Sequence, residues 1–330
     1  MNKLKQLAML YKDIKAPVVV AYGMGIDSTA LLAGLVMCGQ RPDLILFADT
    51  GAERRETYDF KPVIQEWLKK EGFPPIVTVK YQAKNFKNYP PYHNLETNLL
   101  TNGTLPGVSF GPASCSSKWK QGPQHDYIKK WDPARLAWSV HMRVIKLIGF
   151  DDSPADRRRT YSANPKDTHL YEYRMPLQEW GWDREECKKQ IQRAGLPLPI
   201  KSSCFFCVAV KPHELDGYPL DLLRRIVRLE ARAHPRLRSC EGLWRSTVKG
   251  TRGGIARPGS MTKYIREKKL LPAEEVDYIW HHTFKDIVTF QEGFARAKEE
   301  DAVDEFLSIS GQMDYRDALM ATEPPLCEAA

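Results

Sequence analysis

The chain contains no stretch of about eighteen consecutive apolar residues, so no transmembrane helix is expected. It has no fixed-period repeat and no low-complexity segment, which excludes solenoids and collagen-like rods. A Walker A ending (Gly-Lys-Ser/Thr) and a G-x-G-x-x-G run are both missing, so the two commonest phosphate-loop signatures do not apply. The segment from Met1 to Pro17 has a basic start but carries Asp13 and lacks a continuous apolar core. It reads as an amphipathic helix with Leu4, Leu7, Leu10 and Ile14 inward, not as a signal peptide. The expectation is a cytoplasmic protein with no membrane partner, where thiols stay reduced. The seven cysteines are then better read as core residues, metal ligands or reactive thiols than as disulfides.

What is present is ordinary globular composition, 42% apolar and 27% charged over 330 residues, enough for one large domain or a domain with an appendage. A formal net charge of +8 favours polyanionic partners, nucleotides or nucleic acid. Residues 17–22 (PVVVAY) read as a buried strand, followed by a glycine-containing loop and a helix from about Ser28 to Cys38. Leu44–Asp49 is a second strand, Thr57–Lys70 a helix, and Ile76–Tyr81 a third strand. Val144–Gly149 adds a strand and Asp183–Ala194 a helix. Apolar strands alternating with helices predict an α/β fold: an open, mainly parallel sheet covered by helices on both faces. From Ala83 to Ser117 the periodicity fails, as expected of a lid or binding loop. Beyond Lys211 the chain turns to helices rich in Arg and Lys, such as Leu222–His234. The expected division is a nucleotide-binding domain with a cysteine site over 1–210 and a helical, basic region over 211–330.

The strongest chemical signal is Tyr22-Gly-Met-Gly-Ile-Asp-Ser-Thr29, joining the first strand to its helix. Gly23 and Gly25 allow close backbone approach, Asp27 or Ser28 can cap the helix, and first-turn N–H groups face outward. An anion is the natural occupant; the bland alternative is an ordinary strand–turn–helix junction. The run Gly23-Met-Gly-Ile-Asp-Ser-Thr resembles the PP-loop, usually Ser-Gly-Gly-x-Asp-Ser, with Gly23 in place of the Ser and Met24 in place of a Gly. Phe47-Ala-Asp-Thr-Gly-Ala-Glu with Glu56-Thr57, then Ile148-Gly-Phe-Asp with Asp156 and Arg157–Arg159, then Pro176-Leu-Gln-Glu-Trp-Gly-Trp, are similar to further segments of the PAPS-reductase-like family. These matches span roughly residues 17–210. The resemblance implies a site for an adenine nucleotide built from Tyr22, Gly23, Met24, Gly25, Asp27, Ser28, Thr29, Phe47, Asp49, Gly149 and Arg158. It casts Asp27, Ser28, Asp49 and Arg158 as catalytic. Asp49, ending a buried strand, would position Mg²⁺ or a ribose, or merely start a turn. Arg157, Arg158 and Arg159 would clamp phosphates, or form a solvated basic turn.

Cys204-Phe-Phe-Cys207 is a C-x-x-C pair, and Cys115 sits in a segment with Lys118, Lys120 and Pro123. Two thiolates at that spacing hold one metal or one cluster face, and a distant third completes it; the alternative is a pair of packed thiols beside Phe205 and Phe206. The segment is similar to the cluster-binding region of adenylylsulfate reductases, with Ser116 where a second Cys would stand. The resemblance implies a [4Fe-4S] cluster on Cys115, Cys204 and Cys207, with Cys240 as fourth ligand or one iron left open as in tRNA-thiolation enzymes. Zinc is the alternative, completed by Cys240, His213 or His234. Cys38 and Cys187 fall in predicted helices and read as structural. Cys327 lies in a tail without the Glu-Cys-Gly-x-His motif of PAPS reductases.

The basic stretch Arg224, Arg225, Arg228, Arg232, Arg236, Arg238, Arg245, Lys249, Arg252 and Arg257 suits a nucleic-acid backbone, although Leu222, Leu223, Ile226 and Leu229 also give its first part an inward face. The leading expectation is an ATP-pyrophosphatase-type sulfur transferase acting on tRNA or DNA, with a cysteine desulfurase as sulfur donor. The alternatives are a reductase of PAPS or adenylylsulfate, and a non-catalytic nucleotide- and nucleic-acid-binding module.

Overall fold

The structure, a computed structural model, describes residues 15–83, 91–106, 115–162, 169–238, 240–244, 258–302 and 305. Strand β1 (Val18–Tyr22), helix α1 (Ile26–Met37), β2 (Leu44–Asp49), α2 (Arg55–Lys70) and β3 (Ile76–Lys80) follow the predicted alternation closely. Helix α3 (Leu95–Asn102) comes next, capped by Asn94, whose side chain accepts the Thr97 N–H at 2.8 Å. The chain then runs through a π-helical segment (Ser116–Gln121), α4 (Gly122–Ile128), α5 (Asp132–Ser139), β4 (Val144–Ile148), α6 (Pro154–Ser162), β5 (Tyr171–Arg174), α7 (Pro176–Glu179) and α8 (Arg184–Arg193). It ends with α9 (Pro212–Leu215), α10 (Leu220–Ala233), a short 3₁₀ turn (His234–Arg236), α11 (Met261–Glu267) and α12 (Ala273–Glu299).

Two compact units divide the chain: Met1–Tyr81 with Ser116–Ser203, and Gln82–Cys115 with Cys204–Ala330. The second junction falls close to the boundary expected near 210. The aperiodic stretch after Tyr81 belongs to the second unit up to Cys115, and so does the C-x-x-C pair. Among the described residues, no helix is long and apolar enough to cross a membrane.

The first unit is a five-stranded sheet of order β3-β2-β1-β4-β5 in which every pair is parallel. Parallel strands are buried on both faces, and the side-chain alternation shows it. Val20, Tyr22, Ile45, Phe47, Ile76 and Leu147 point to one core with Leu31, Leu35, Ile64, Leu68 and Ile191. Val19, Leu44, Leu46, Ala48, Val79, Val144 and Tyr171 point to the other, with Ile128 and Ala134. Each such aliphatic side chain, fully buried, stabilises the fold by roughly 1.5–3 kcal/mol before entropy is counted. The chain enters the sheet at β1, winds outward to β3, and returns to β4 on the far side of β1. That reversal makes the carboxyl ends of β1 and β4 the place where an open α/β sheet receives its ligand.

In the second unit, α10 is strongly amphipathic, with Leu223, Ile226, Val227 and Leu229 buried. Glu230 on this helix is fully buried, and its carboxylate accepts the N–H groups of Leu243 (2.6 Å), Met261 (2.9 Å) and Thr262 (2.7 Å) and the Ser260 hydroxyl (2.5 Å). Four donors on one carboxylate meet the demand of a buried charge and tie residues 241–244 to the start of α11.

Candidate nucleotide and metal site

The loop between β1 and α1 occupies the switch point. Its hub is the Ser28 hydroxyl, which accepts the N–H groups of Gly23 (3.2 Å) and Gly25 (3.3 Å) and donates to the Gly25 carbonyl at 3.2 Å. Met24 sits between them with φ of +58° and its side chain buried, a left-handed backbone that non-glycine residues rarely adopt. The glycine of the usual PP-loop suits that conformation; here a buried thioether side chain stands there instead. A Cβ on Gly25 would fall 2.7 Å from Ser202 Oγ, and one on Gly149 would fall 2.8 Å from Ser28 Cα. The turn after β4 thus lies directly on the first turn of α1, and only glycine permits it.

Asp27, Asp151 and Asp156 converge beside this loop, each offering a carboxylate oxygen within 4.8 Å of the others. Among the described residues they are the only such group of three or more acidic, His or Cys donors. Asp151 is held by the Ser153 N–H at 3.0 Å, and the Asp156 N–H donates to the Ser153 hydroxyl at 3.3 Å. Two arginines answer the negative charge. Arg184 Nη1 lies 2.9 Å from Asp27 Oδ1 and its Nε 3.6 Å from Asp151 Oδ2; Arg159 Nη1 lies 2.8 Å from Asp156 Oδ1. The compensation is incomplete. Burial, reinforced by Asp151 and Asp156 against the pull of Arg184 and Arg159, pushes the Asp27 carboxyl up to about 6. Burial and Asp151 also raise Asp156, against Arg159.

Hard oxygen donors crowded in this way suit Mg²⁺, which binds through one or two carboxylates plus phosphate oxygens. A cation there would relieve the repulsion that raises Asp27. The positive end of α1 attracts phosphate, while the three carboxylates repel it unless a divalent cation lies between.

The structure distributes the sequence-predicted residues unevenly. Gly23, Gly25, Asp27, Ser28 and Gly149 come together at the switch point. Tyr22 and Thr29 are buried, hydrogen-bonded to each other at 3.1 Å, and Phe47 lies in the core, so these three support the loop from behind. Asp49 does end a strand at the ligand edge, but it is occupied. Its carboxylate accepts the Gly51 N–H (2.8 Å) and the Tyr58 hydroxyl (2.8 Å) and pairs with Lys80 (3.0 Å). Burial raises its pKa, and these partners more than reverse that. Of the three consecutive arginines, Arg159 is the one paired within the aspartate group. Arg157 pairs with Asp152, and Arg158 is exposed. Sequence reasoning missed Arg184 and Ser202. An arginine in the first turn of an amphipathic helix reads as a solvated face, and a serine two positions before a conspicuous cysteine attracts no notice.

Cys115, Cys204, Cys207 and Cys240 all belong to the second unit, and none is disulfide-bonded. Cys204 is buried, and the Cys207 N–H donates to its carbonyl at 2.9 Å, so the pair spans one tight turn. Phe205 and Phe206 anchor that turn edge-to-face at 4.7 Å, and Arg225 lies 4.3 Å over the Phe205 ring. Thiolates sharing one tetrahedral zinc lie about 3.8 Å apart. No three of these sulfurs come within 4.8 Å of one another, so the described thiols do not present a ready zinc tetrahedron. Cys187 is buried in the first core as expected, its thiol pushed up to about 12 by burial and the nearby carboxylates of Asp27 and Asp151. Cys38, expected in the helix, instead caps α1 in an exposed position. Cys327, residues 1–14 and the basic residues Arg245, Lys249, Arg252 and Arg257 lie outside the described residues.

The arginines of α10 mostly bind the protein itself. Arg224 pairs with Glu275, Arg225 grips Glu96 with Nε at 2.9 Å and Nη2 at 2.5 Å, and Arg232 donates to the Leu100 carbonyl at 2.9 Å. Arg236 reaches the Asn102 carbonyl. These four arginines thus act as mortar between α10 and its neighbours α3 and α12.

Comparison with models of known protein families and with curated proteins returns no match for this chain.

Proposed function

We propose that this chain is an adenine-nucleotide-dependent enzyme of the PP-loop type that splits ATP between the α and β phosphates and activates a nucleic acid for sulfur transfer. The observation that carries the reading is the placement of the Asp27–Asp151–Asp156 group beside the Gly23–Ser28 loop at the sheet's switch point. A helix N-terminus alone suits any anion; joined to three carboxylates it suits a polyphosphate that arrives with a divalent cation.

In this reading the amides of the Gly23–Ser28 loop hold the pyrophosphate, and Gly149 keeps the opposite wall low enough for it to lie against α1. Asp27, Asp151 and Asp156 would hold Mg²⁺, which would supply charge neutralisation at the departing phosphates. Arg159 and Arg184, beside these carboxylates, would stabilise charge developing on the leaving group. Cys115, Cys204 and Cys207, with Cys240 as candidate fourth ligand, would hold an iron–sulfur cluster that supplies the sulfur to be transferred. The acidic group beside the loop, which suits a polyphosphate accompanied by a divalent cation, ranks this above reduction of PAPS or adenylylsulfate.

The test is product analysis with ATP, Mg²⁺ and candidate tRNA or DNA acceptors. AMP and pyrophosphate formation, reduced at least tenfold in Asp151→Asn, is the expected result. Sulfite release from PAPS or adenylylsulfate without ATP would install the reductase instead, and ATP binding with no turnover would leave a binding module.

A further inference from the structure

The second unit carries a cavity of about 480 Å³ for which the nucleotide reading has no use. Its wall on α12 is Trp280, whose ring is held edge-to-face at 5.2 Å by His234. The opposite wall is the start of α11, with Thr262 and Lys263, and the adjoining Glu241. Volume and a mixed aromatic and polar lining are those of a small-ligand site.

Three observations narrow the ligand. First, the Thr262 hydroxyl is buried and has no hydrogen-bond partner, although Thr262 is only 4% exposed. A buried, unsatisfied hydroxyl at a cavity wall costs stability that a polar ligand atom would recover. Second, the polar edge is acceptor-rich: Glu241 lies against Gly259, where a Cβ would fall 2.9 Å from its carboxylate oxygen, so glycine lets the acid lie flat on the backbone. Third, the rim offers a lysine to a phosphate. Lys263 and Arg266 are exposed there, and Lys263 has no ion pair among the described residues, whereas Arg266 pairs with Asp277. The walls are stiff, because Glu230 ties Leu243, Ser260, Met261 and Thr262 to α10.

We propose that this cavity takes one unstacked nucleotide of a single-stranded nucleic acid. The base stacks on Trp280, its amino edge meets Glu241 and Thr262, and its phosphate sits at Lys263 and Arg266. An acceptor-only carboxylate favours bases with an exocyclic amino group over uracil or thymine. Among the described residues, Arg224, Arg225 and Arg232 of α10 are committed to Glu275, Glu96 and the Leu100 carbonyl, whereas Lys263 at this rim has no ion pair. The inference deepens the acceptor side of the proposed function, and needs neither ATP nor the cysteines.

The experiment measures anisotropy of labelled oligo(C) and oligo(U) with the full chain, without ATP or Mg²⁺, alongside CMP and UMP as free competitors. Oligo(C) should bind more tightly than oligo(U). Trp280→Ala should weaken oligo(C) by roughly five- to a hundredfold. Glu241→Gln, an exposed change that leaves the fold intact, should erase the preference for C. Lys263→Ala should lower the slope of log affinity against log salt by about one. CMP displacing the strand fully at equal concentration would replace a strand site by a free-nucleotide site and overturn the proposal, as would wild-type affinity in Trp280→Ala or unchanged base preference in Glu241→Gln. Pyrophosphate release from ATP and Mg²⁺ in the presence of acceptor, measured separately on the wild type, tests the phosphate-loop reading; its failure there would count against that reading and leave this one, measured without ATP, standing.

Discussion

Arg184 reaches Asp27 across the mouth of the β1–α1 loop, 2.9 Å from nitrogen to oxygen, yet the Asp27 carboxyl is still pushed up to about 6. Burial and two neighbouring carboxylates outweigh the pull of Arg184 and Arg159. Because the folded-state value lies above the ordinary 3.8, Asp27 contributes stability that is full below 3.8 and is lost as pH rises through about 6. In chelator-treated protein, urea unfolding should therefore show stability falling across that window, by up to about 3 kcal/mol. Asp27→Asn should flatten the fall. Mg²⁺ should restore stability near pH 7 in the wild type but not in the variant. Coincident pH profiles with and without Mg²⁺ would remove the cation from this site.

Lys146 presents the opposite sign in the middle of β4, in register between Val19 and Tyr173. It is 3% exposed, and burial lowers its pKa to about 8. A lysine whose folded value is depressed contributes stability that is present above its ordinary 10.5 and lost as pH falls through about 8. Lys146→Met keeps the length and removes the charge. It should raise stability at pH 7 by about 1–3 kcal/mol, and the gain should shrink toward pH 10. A variant less stable than wild type at pH 7 would show that the ammonium is satisfied.

Gly149 is a steric prediction. Its added Cβ would fall 2.8 Å from Ser28 Cα and 2.9 Å from Ser28 N, both backbone atoms that cannot swing aside. Gly149→Ala should cost about 1–3 kcal/mol of stability and displace the first turn of α1. ATP-dependent AMP formation should fall at least tenfold, because sub-ångström placement of the loop amides decides their value to the phosphates. Near-wild-type turnover would mean that the phosphates bind elsewhere.

Glu230 tests the second unit. All four of its partners are donors, so Glu230→Gln aims an amide NH₂ at N–H groups already facing it, with almost no change in shape. The expected loss is about 2–5 kcal/mol by denaturant unfolding, with Trp244 fluorescence changing early as the 241–244 segment loosens. A cost below about 1 kcal/mol would show that the four donors are satisfied without the charge.

The alternation of β-branched runs and amphipathic stretches made four of the five strands and helices α1, α2 and α8 legible, because parallel strands buried on both faces leave an unbroken apolar signature; the short helices α4, α5 and α6 were not read. β5 reads Tyr171-Glu-Tyr-Arg174, an edge strand whose polar face hid it. The β1–α1 loop was legible as a glycine-bearing strand–helix junction from Gly23, Gly25 and Asp27. The carboxylate trio was not, since Asp27, Asp151 and Asp156 meet only once β1 and β4 are adjacent, and sequence separation carries no sign of that. Gly34 is a similar case. A mid-helix glycine looks like a weakness, yet a Cβ there would fall 2.2 Å from the Trp180 ring. The partners of Arg232 and Arg236 were equally hidden, because charge counting cannot tell which guanidinium groups will find carbonyls at the end of α3.

The cysteines decide what the proposed enzyme transfers. All four candidates fall in one compact unit, on a Phe-anchored turn and on segments far from it in sequence, and their sulfurs are not drawn together as one zinc ion requires. On the cluster reading proposed above, anaerobically purified protein should contain about four irons and four sulfides per chain, with Cys204→Ala losing most of both. Cys240→Ala separates two arrangements. Full loss makes it the fourth ligand, whereas retention with an altered spectrum leaves one iron open to bind the sulfur in transit. About one zinc and no iron would mean that the thiols rearrange into a structural clamp, and would turn the proposal from sulfur transfer toward nucleotide-dependent adenylylation alone.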